Sequence, residues 1–144
     1  MAFYQEKTGE FYVEANQLNH LNILHGGELF KHCDAAIGLL ASRYAGSRVL
    51  TVAVKAFNFR KIALVGELIC FNVTLLSTSK KTMTFYAEIT ARTFEGDSRV
   101  IGEAVFVFVA VNHDLETIKI KPFKPTDDGQ IDYIHKIQNH FHLN

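Results

Sequence analysis

The sequence has no tryptophan, only two prolines and only two cysteines in 144 residues. Cys33 and Cys70 lie far apart in the sequence, each within a largely apolar segment. We therefore expect buried, reduced thiols, since a disulfide framework is typical of small secreted domains. An excess of charge is also lacking, because fifteen basic residues balance fifteen acidic ones. Without a broad positive field, no nucleic-acid partner is expected.

Long apolar runs are missing as well. The longest, "AVFVFVAV" at Ala104–Val111, is much shorter than the roughly 20 residues of a membrane-spanning helix. The first residues, "MAFYQEKTGEF", lack the basic and apolar regions of a signal peptide. These features predict no membrane partner and a cytoplasmic location. The residues present are 48% hydrophobic and include twelve Phe, which indicates one globular domain with a substantial core.

The order of predicted elements indicates an α+β fold. An aromatic stretch at Phe3–Val13 is expected to form one bent strand or a short hairpin. A helix is predicted from Gly26 to Tyr44, with Gly46 as its left-handed cap. Four β-rich segments follow, separated by short breaks that favour an antiparallel meander: Val49–Phe59, Glu67–Thr78, Thr82–Thr93 and Arg99–Asn112.

Two further patterns concern how these elements pack. The helix carries few polar positions, so the sheet is expected to wrap around it. The last strand is apolar on both faces and is therefore expected to be central and covered on both sides. After Asn112, the segment "DYIHKIQNHFHL" predicts a C-terminal helix.

Asp34 is an unusual acid within this apolar helix. At about 100° per residue, it lies about 120° from the centre of the polar stripe, beside Phe30, Ile37 and the small Gly38. One interpretation is a structural ion pair with a neighbouring Lys or Arg; the other is a functional acid facing a cavity. The "HGG" at the helix start favours the second, because unpaired N–H groups there can hold an anionic oxygen.

The stretch "NHLNILHGGELFKHCD" resembles the signature of hotdog-fold acyl-CoA thioesterases. The matching positions are Asn19, His25, Gly26, Gly27 and Asp34. The resemblance continues through Arg48–Ile69 and Thr78–Met83 and covers most of the chain. It implies a hotdog fold, in which an antiparallel sheet wraps one long central helix. Residues 1–112 would form that thioesterase domain, with residues 113–144 as a C-terminal extension.

The resemblance also implies a reaction and roles for these residues. Acyl-CoA would be hydrolysed to a fatty acid and coenzyme A, with Asp34 as general base or nucleophile. The N–H groups of Gly26 and Gly27 would form the oxyanion hole. Asn19 would orient the loop or the attacking water. His25 is a further catalytic candidate, either as a base or, as the aromatic residue at this place in relatives favours, in packing or positioning. The site would lie between two subunits, in a homodimer or a hexamer built as a trimer of dimers.

Coenzyme A phosphates need cations. The resemblance places Thr78–Met83 at the coenzyme A site, which makes Lys80, Lys81 and Thr82 candidate ligands, and Arg60 or Lys61 could add a further cation. The alternative for the two lysines is a solvated hairpin tip. Coenzyme A is part of the substrate, so no separate cofactor is expected. No metal site is expected either, because the histidines near the C-terminus lack a supporting acid or cysteine cluster. Ile23 stands where some relatives carry a catalytic polar residue. This departure keeps two alternatives open: a non-catalytic acyl-CoA-binding module, and a hotdog enoyl-CoA hydratase or dehydratase.

Overall fold

The structure is a computed structural model that describes residues 4–143. Its elements in chain order are β1 (Gln5–Tyr12), a 3-10 turn (Ala15–Gln17), α1 (Gly26–Ala45), β2 (Arg48–Phe59), β3 (Leu68–Thr78), β4 (Thr82–Arg92), β5 (Ser98–Val111), β6 (Thr117–Ile118) and α2 (Asp128–His140). One antiparallel sheet follows the order β1-β3-β4-β5-β2, with the short β6 beside β5. The predicted α+β class and hotdog arrangement are confirmed, with α1 packed against the sheet.

The predicted meander is correct only for β3, β4 and β5. The strand β2 does not pair with β3. It crosses to the far edge of the sheet and pairs with β5, where Arg48 is opposite Val111 and Phe59 is opposite Gly102. The reason is that the apolar β5 requires a neighbour on each side, and residues 60–67 are long enough to cross the end of the sheet. The strand β2 is therefore an edge strand.

The helix α1 has the predicted bounds to within one residue. His25 caps its start, and Gly46 ends it with a left-handed φ of 67°. Its apolar side, which includes Cys33, Ile37 and Leu40, is fully buried against the sheet. The N-terminal strand β1 approaches this helix so closely that a Cβ at Gly9 would lie 2.9 Å from the Cβ of Ala36.

The strand β1 is single and bent, because its register with β3 shifts between Lys7 and Gly9. This confirms the bent strand and not the hairpin, although Phe3 lies outside the described residues. Both cysteines are free. Burial raises the pKa of the Cys33 thiol, and the neighbouring Asp34 raises it further. Cys70 is only half-buried, unlike the prediction, because its strand β3 packs beside the exposed β1.

The opposite face of the sheet is covered by α2. The predicted C-terminal helix is confirmed and begins at Asp128, four residues before the quoted segment. Ile134 and Ile137 of α2 pack against Tyr86 and Val105 of the sheet. The strand β5 is consequently buried on both faces, as predicted. Within residues 4–143, neither helix has the length and apolarity needed to cross a bilayer.

Candidate active site

The start of α1 offers one free backbone donor. The N–H of His25 donates to the carbonyl of Gln17 at 2.8 Å, which holds the turn in place. Nδ1 of His25 accepts the N–H of Gly27 at 2.8 Å. Within residues 4–143, the N–H of Gly26 makes no hydrogen bond. Of the two predicted oxyanion donors, Gly27 is thus already engaged and Gly26 is available, because the His25 ring serves as the helix cap.

Asn19 stabilises the loop before the helix. Its Oδ1 accepts the N–H of Leu21 at 2.8 Å and that of Ile23 at 3.4 Å. Asn22, in the middle of this turn, has a left-handed φ of 61°. Because Oδ1 faces the backbone, the Nδ2 group is left as the donor, and it has no partner within the described residues. The loop-capping interpretation of Asn19 is therefore compatible with a second, donating role.

A cavity of about 270 Å³ lies beside the helix start. Its walls are mainly apolar and include Asn19, Ile23, Gly26, Leu29 and Phe59. A Cβ added at Gly26 would lie 3.1 Å from the Phe59 ring. The Phe59 ring is 58% exposed, because β2 lies at the sheet edge. Asn19 and Gly26 therefore share one apolar cavity, whereas Asp34 does not line it.

Asp34 lies farther along α1, where it contacts the edge strand. Thr51 of β2 donates its Oγ1–H to Asp34 Oδ1 at 2.6 Å. No cation pairs with Asp34 in the described part of the chain. The first interpretation of Asp34, a structural ion pair with a neighbouring Lys or Arg, is therefore not observed. Asp34 follows Gly26 by eight residues, which is about 12 Å along a helix. Within one subunit, a single carbonyl group cannot contact both the Gly26 N–H and the Asp34 carboxylate.

Thr51 is a partner of Asp34 that the sequence analysis missed. It is the single hydroxyl in the apolar stretch Val49–Val54. An isolated hydroxyl in an apolar strand is the sequence signal that could have identified Thr51 as a candidate site residue. Its orientation toward α1 depends on the pairing of β2 with β5, where Thr51 is opposite Phe108.

The surface between α1 and β2 is apolar and exposed. Phe30 is 38% exposed, and its ring centroid lies 5.2 Å from that of Phe57. The strand β2 adds the exposed apolar side chains Leu50, Val52, Val54 and Phe59. An edge strand of this length and apolarity offers its backbone and side chains to a further strand.

The predicted coenzyme A residues fall into two groups. Lys80 and Lys81 are exposed in the β3–β4 turn, and Thr82 begins β4 beside them. Lys81 Nζ donates to Thr117 Oγ1 at 3.3 Å. Arg60 lies elsewhere and donates from Nε to Glu103 Oε1 at 2.8 Å. The hydrogen bond with Glu103 raises the pKa of Arg60.

These two groups lie at opposite ends of the sheet. Thr82 is opposite Val109 of β5, whereas Phe59, the residue before Arg60, is opposite Gly102. Seven strand residues span about 23 Å. One subunit therefore brings together Lys80, Lys81 and Thr82 but not Arg60. No group of three or more His, Cys, Asp or Glu side chains in residues 4–143 could hold a metal ion.

A comparison with protein families matches a model of the thioesterase superfamily to residues 21–93. The matched range is half of the chain and contains the helix start, Asp34 and Thr51. The chain belongs to the thioesterase superfamily. This superfamily member is 30% identical over 95 residues to an uncharacterized acyl-CoA thioester hydrolase of Haemophilus influenzae. That match covers 63% of this chain and 62% of the relative, less than two thirds of its length.

Solved structures share the fold. The acyl-CoA hydrolase of Staphylococcus aureus in complex with butyryl-CoA and coenzyme A has a TM-score of 0.84 at 17% identity, covering 97% of this chain and 85% of that one. A hexameric thioesterase of Yersinia pestis has a TM-score of 0.78 at 25% identity, covering 81% and 95%. Structures of three alanine variants of the Staphylococcus aureus protein are among those that match, with an asparagine, an aspartate or a threonine replaced. In that protein the aspartate follows the asparagine by 15 residues, and the threonine follows the aspartate by 17. Asn19, Asp34 and Thr51 of this superfamily member have the same spacing.

Proposed function

We propose that this protein hydrolyses acyl-CoA to a free carboxylic acid and coenzyme A, in the cytoplasm, at sites that two copies of the chain build together. The observation that carries the proposal is the Asp34 carboxylate, which Thr51 holds on an apolar border without a neutralising cation. Superfamily membership supports the reaction class, as do the acyl-CoA hydrolases among the relatives. The shared spacing of Asn19, Asp34 and Thr51 supports their assignment to the site.

In the proposed reaction, Asp34 acts as a general base. It takes a proton from a water molecule whose oxygen attacks the thioester carbonyl carbon. The Gly26 N–H, at the positive end of α1, stabilises the oxyanion that forms. When the tetrahedral intermediate collapses, the C–S bond breaks, and the proton held by Asp34 passes to the coenzyme A thiolate. Thr51 orients the carboxylate, and the Asn19 Nδ2 group is a second donor for the oxyanion or the water.

Two copies are needed because Gly26 and Asp34 are about 12 Å apart on one helix. Antiparallel pairing of two β2 strands would turn the helices in opposite directions. The Asp34 of one copy then faces the helix start of the other, and the apolar edge of β2 becomes covered. A trimer of such dimers, as in the hexameric Yersinia pestis thioesterase, is the proposed full assembly.

The same pairing explains the separated coenzyme A residues. Antiparallel strands bring the Arg48 end of one β2 beside the Phe59 end of the other. Arg60 of one copy thereby approaches the β3–β4 turn of its neighbour, where Lys80 and Lys81 are exposed. Cations from both copies are then available for the coenzyme A phosphates.

The test is release of free thiol from acyl-CoA substrates of several chain lengths. We expect Asp34→Asn to lower kcat by about 10²- to 10⁴-fold, the usual contribution of a general base. Asp132→Asn is the matched control, because Asp132 is exposed on α2. Full activity of Asp34→Asn would contradict the assignment. Binding of acyl-CoA without any turnover by the wild type would favour the binding module, and hydration of enoyl-CoA would favour the hydratase.

A further inference from the structure

The cavity beside the start of α1 has a polar end, a buried floor and an exposed mouth. Asn19 and Gly26 form the polar end, where the proposed reaction places the thioester oxygen. The charged residue of the wall, Lys61, is exposed and can keep its ammonium group in water. Phe59 and Ile62 form the mouth and are 58% and 55% exposed. The floor consists of four buried apolar side chains: Leu24, Leu29, Ala63 and Ile101.

The cavity floor is held together by backbone hydrogen bonds from the segment that connects β2 to β3. The N–H groups of Arg60 and Lys61 both donate to the Ile101 carbonyl, at 2.8 and 3.1 Å. The Ala63 carbonyl accepts the N–H of Leu24 at 2.9 Å. These bonds join the loop before α1, the connecting segment and β5. Three of the four floor residues therefore have fixed positions relative to one another.

A buried ion pair holds the same connecting segment against β5. Arg99 Nη2 donates to Glu67 Oε1 and to the Ile62 carbonyl, both at 2.8 Å. Glu67 Oε1 also accepts the N–H of Leu64 at 2.7 Å. Because the carboxylate and the guanidinium both bind the backbone of the segment, it cannot move away from the floor without breaking this buried pair. The cavity is thus formed before a ligand binds.

The size of the cavity limits the length of the chain that it can hold. A protein cavity of about 150 Å³ binds benzene, so about 270 Å³ corresponds in proportion to about eleven carbon atoms. A second measure is the volume of a water molecule in the liquid, about 30 Å³, which is close to that of a methylene group and gives about nine carbons. Both measures indicate a chain of about ten carbons.

We propose that this cavity selects medium-chain acyl groups of up to about ten carbons, and that Ala63 and Ile101 set this limit. The inference rests on the proposed function for its ligand, acyl-CoA. Each methylene group that enters the cavity leaves water, which raises kcat/KM about fourfold. A longer chain has to leave past Phe59 and Ile62, where water has access, so its additional methylene groups bring no further gain.

The test is the dependence of kcat/KM on chain length. Thiol release is measured with straight-chain acyl-CoA substrates, from butyryl-CoA to palmitoyl-CoA, below the concentrations at which they form micelles. We expect kcat/KM to rise about fourfold per methylene group and to stop rising at about ten carbons. A rise that continues through palmitoyl-CoA would overturn the proposal.

Two variants of the floor should move this limit in opposite directions. Ala63→Leu fills part of the cavity and should lower the limit by about three carbons, whereas Ile101→Val enlarges it and should raise the limit by about one. Ile101→Val is the milder change and keeps the test open if Ala63→Leu does not fold. Ala15→Leu is the matched control, because Ala15 is exposed and does not line the cavity. A limit that is the same in the wild type and both floor variants would refute the roles of Ala63 and Ile101.

A binding experiment separates this inference from the proposed hydrolysis. Isothermal titration calorimetry with Asp34→Asn, which lacks the proposed base, measures the affinity for each acyl-CoA without turnover. Hydrolysis by the wild type without a limit in either kcat/KM or affinity would contradict this inference and retain the proposed function. A limit in affinity at about ten carbons, without turnover by the wild type, would contradict the proposed hydrolysis and retain this inference.

Discussion

The Gly26 N–H can be removed by one substitution that the helix tolerates. Gly26 is the first residue of α1, and proline is well accepted at that position because the N–H there has no partner within the helix. The preceding His25 has a ψ of 131°, the extended conformation that a residue before proline requires. Gly26→Pro therefore deletes the proposed oxyanion donor while retaining a backbone that can form the helix.

The expected loss follows from the neighbouring contacts. The Gly27 N–H is already bound to His25 and does not replace the missing donor. Loss of one oxyanion donor lowers kcat about 10²- to 10³-fold, or about 2.7–4 kcal/mol of barrier. The assay is thiol release from acyl-CoA under saturating substrate. Circular dichroism would verify that the variant keeps its helix content.

Gly26→Ala is the matched control for this variant. It keeps the N–H but adds the same Cβ, which would lie 3.1 Å from the Phe59 ring and displace it by a few tenths of an ångström. We expect Gly26→Ala to retain most of the activity that Gly26→Pro loses. If the two variants lose activity equally, the cause is contact with Phe59, and the oxyanion role of Gly26 is refuted.

Three further predictions concern other contacts. Thr51→Val should lower kcat/KM about 10- to 100-fold, because a hydrogen bond to the Asp34 carboxylate is lost, and Thr51→Ser should restore it. Arg99→Gln should lower the unfolding free energy by about 2–3 kcal/mol at pH 7, because it leaves the buried Glu67 unpaired. Val52→Lys should weaken self-association at least about tenfold in analytical ultracentrifugation, because it charges the β2 edge.

The Arg99 prediction has a defined pH dependence. The hydrogen bond from Arg99 lowers the pKa of Glu67 below 4.5, the ordinary value for a glutamate side chain. The pair therefore stabilises the fold fully above about pH 4.5, and this contribution is lost as the pH falls through the lowered pKa. The difference in melting temperature between Arg99→Gln and the wild type should shrink below that pH. A constant difference at all pH values would contradict the role of Glu67.

Matched controls exist for two of these variants. Arg43→Gln breaks an ion pair with Glu6 in which both side chains are about half exposed, so its effect on stability should be below about 1 kcal/mol. Leu115→Lys charges another exposed apolar residue, in the β5–β6 turn, and should leave self-association unchanged. Monomers formed by Leu115→Lys would show that β2 is not the contact edge.

The helices and strands could be predicted from the sequence, because the residues that end each element lie next to it in the chain. Gly46 ends α1 in a left-handed conformation, and Gly96, with a φ of 101°, makes the turn before β5. The position of β2 could not be predicted in this way. Its pairing joins residues 48–59 to residues 102–111, and nothing in the nearby sequence distinguishes that partner from β3. The local signals therefore predicted the strands, and the non-local pairing decided their order.

The same distinction between local and non-local signals applies to the residues of the candidate site. Asp34 and the helix start could be identified from their spacing within one helix. Thr51 could not, because its bond to Asp34 joins the helix to a strand whose register was unknown. The engagement of the Gly27 N–H depends on the rotamer of His25, and the exposure of Phe59 depends on the edge position of β2. Such features follow from packing between elements, which periodicity within one element does not describe.

The central claim is that one site combines Asp34 of one copy with the Gly26 N–H of another. The direct test is to unfold, mix and refold Asp34→Asn and Gly26→Pro in equal amounts, each inactive alone, and to measure thiol release. In a symmetric dimer, half of the mixed population is heterodimeric, and each heterodimer regains one intact site, so we predict about a quarter of wild-type activity. A mixture that stays as inactive as its components, although heterodimers form, would contradict the shared site.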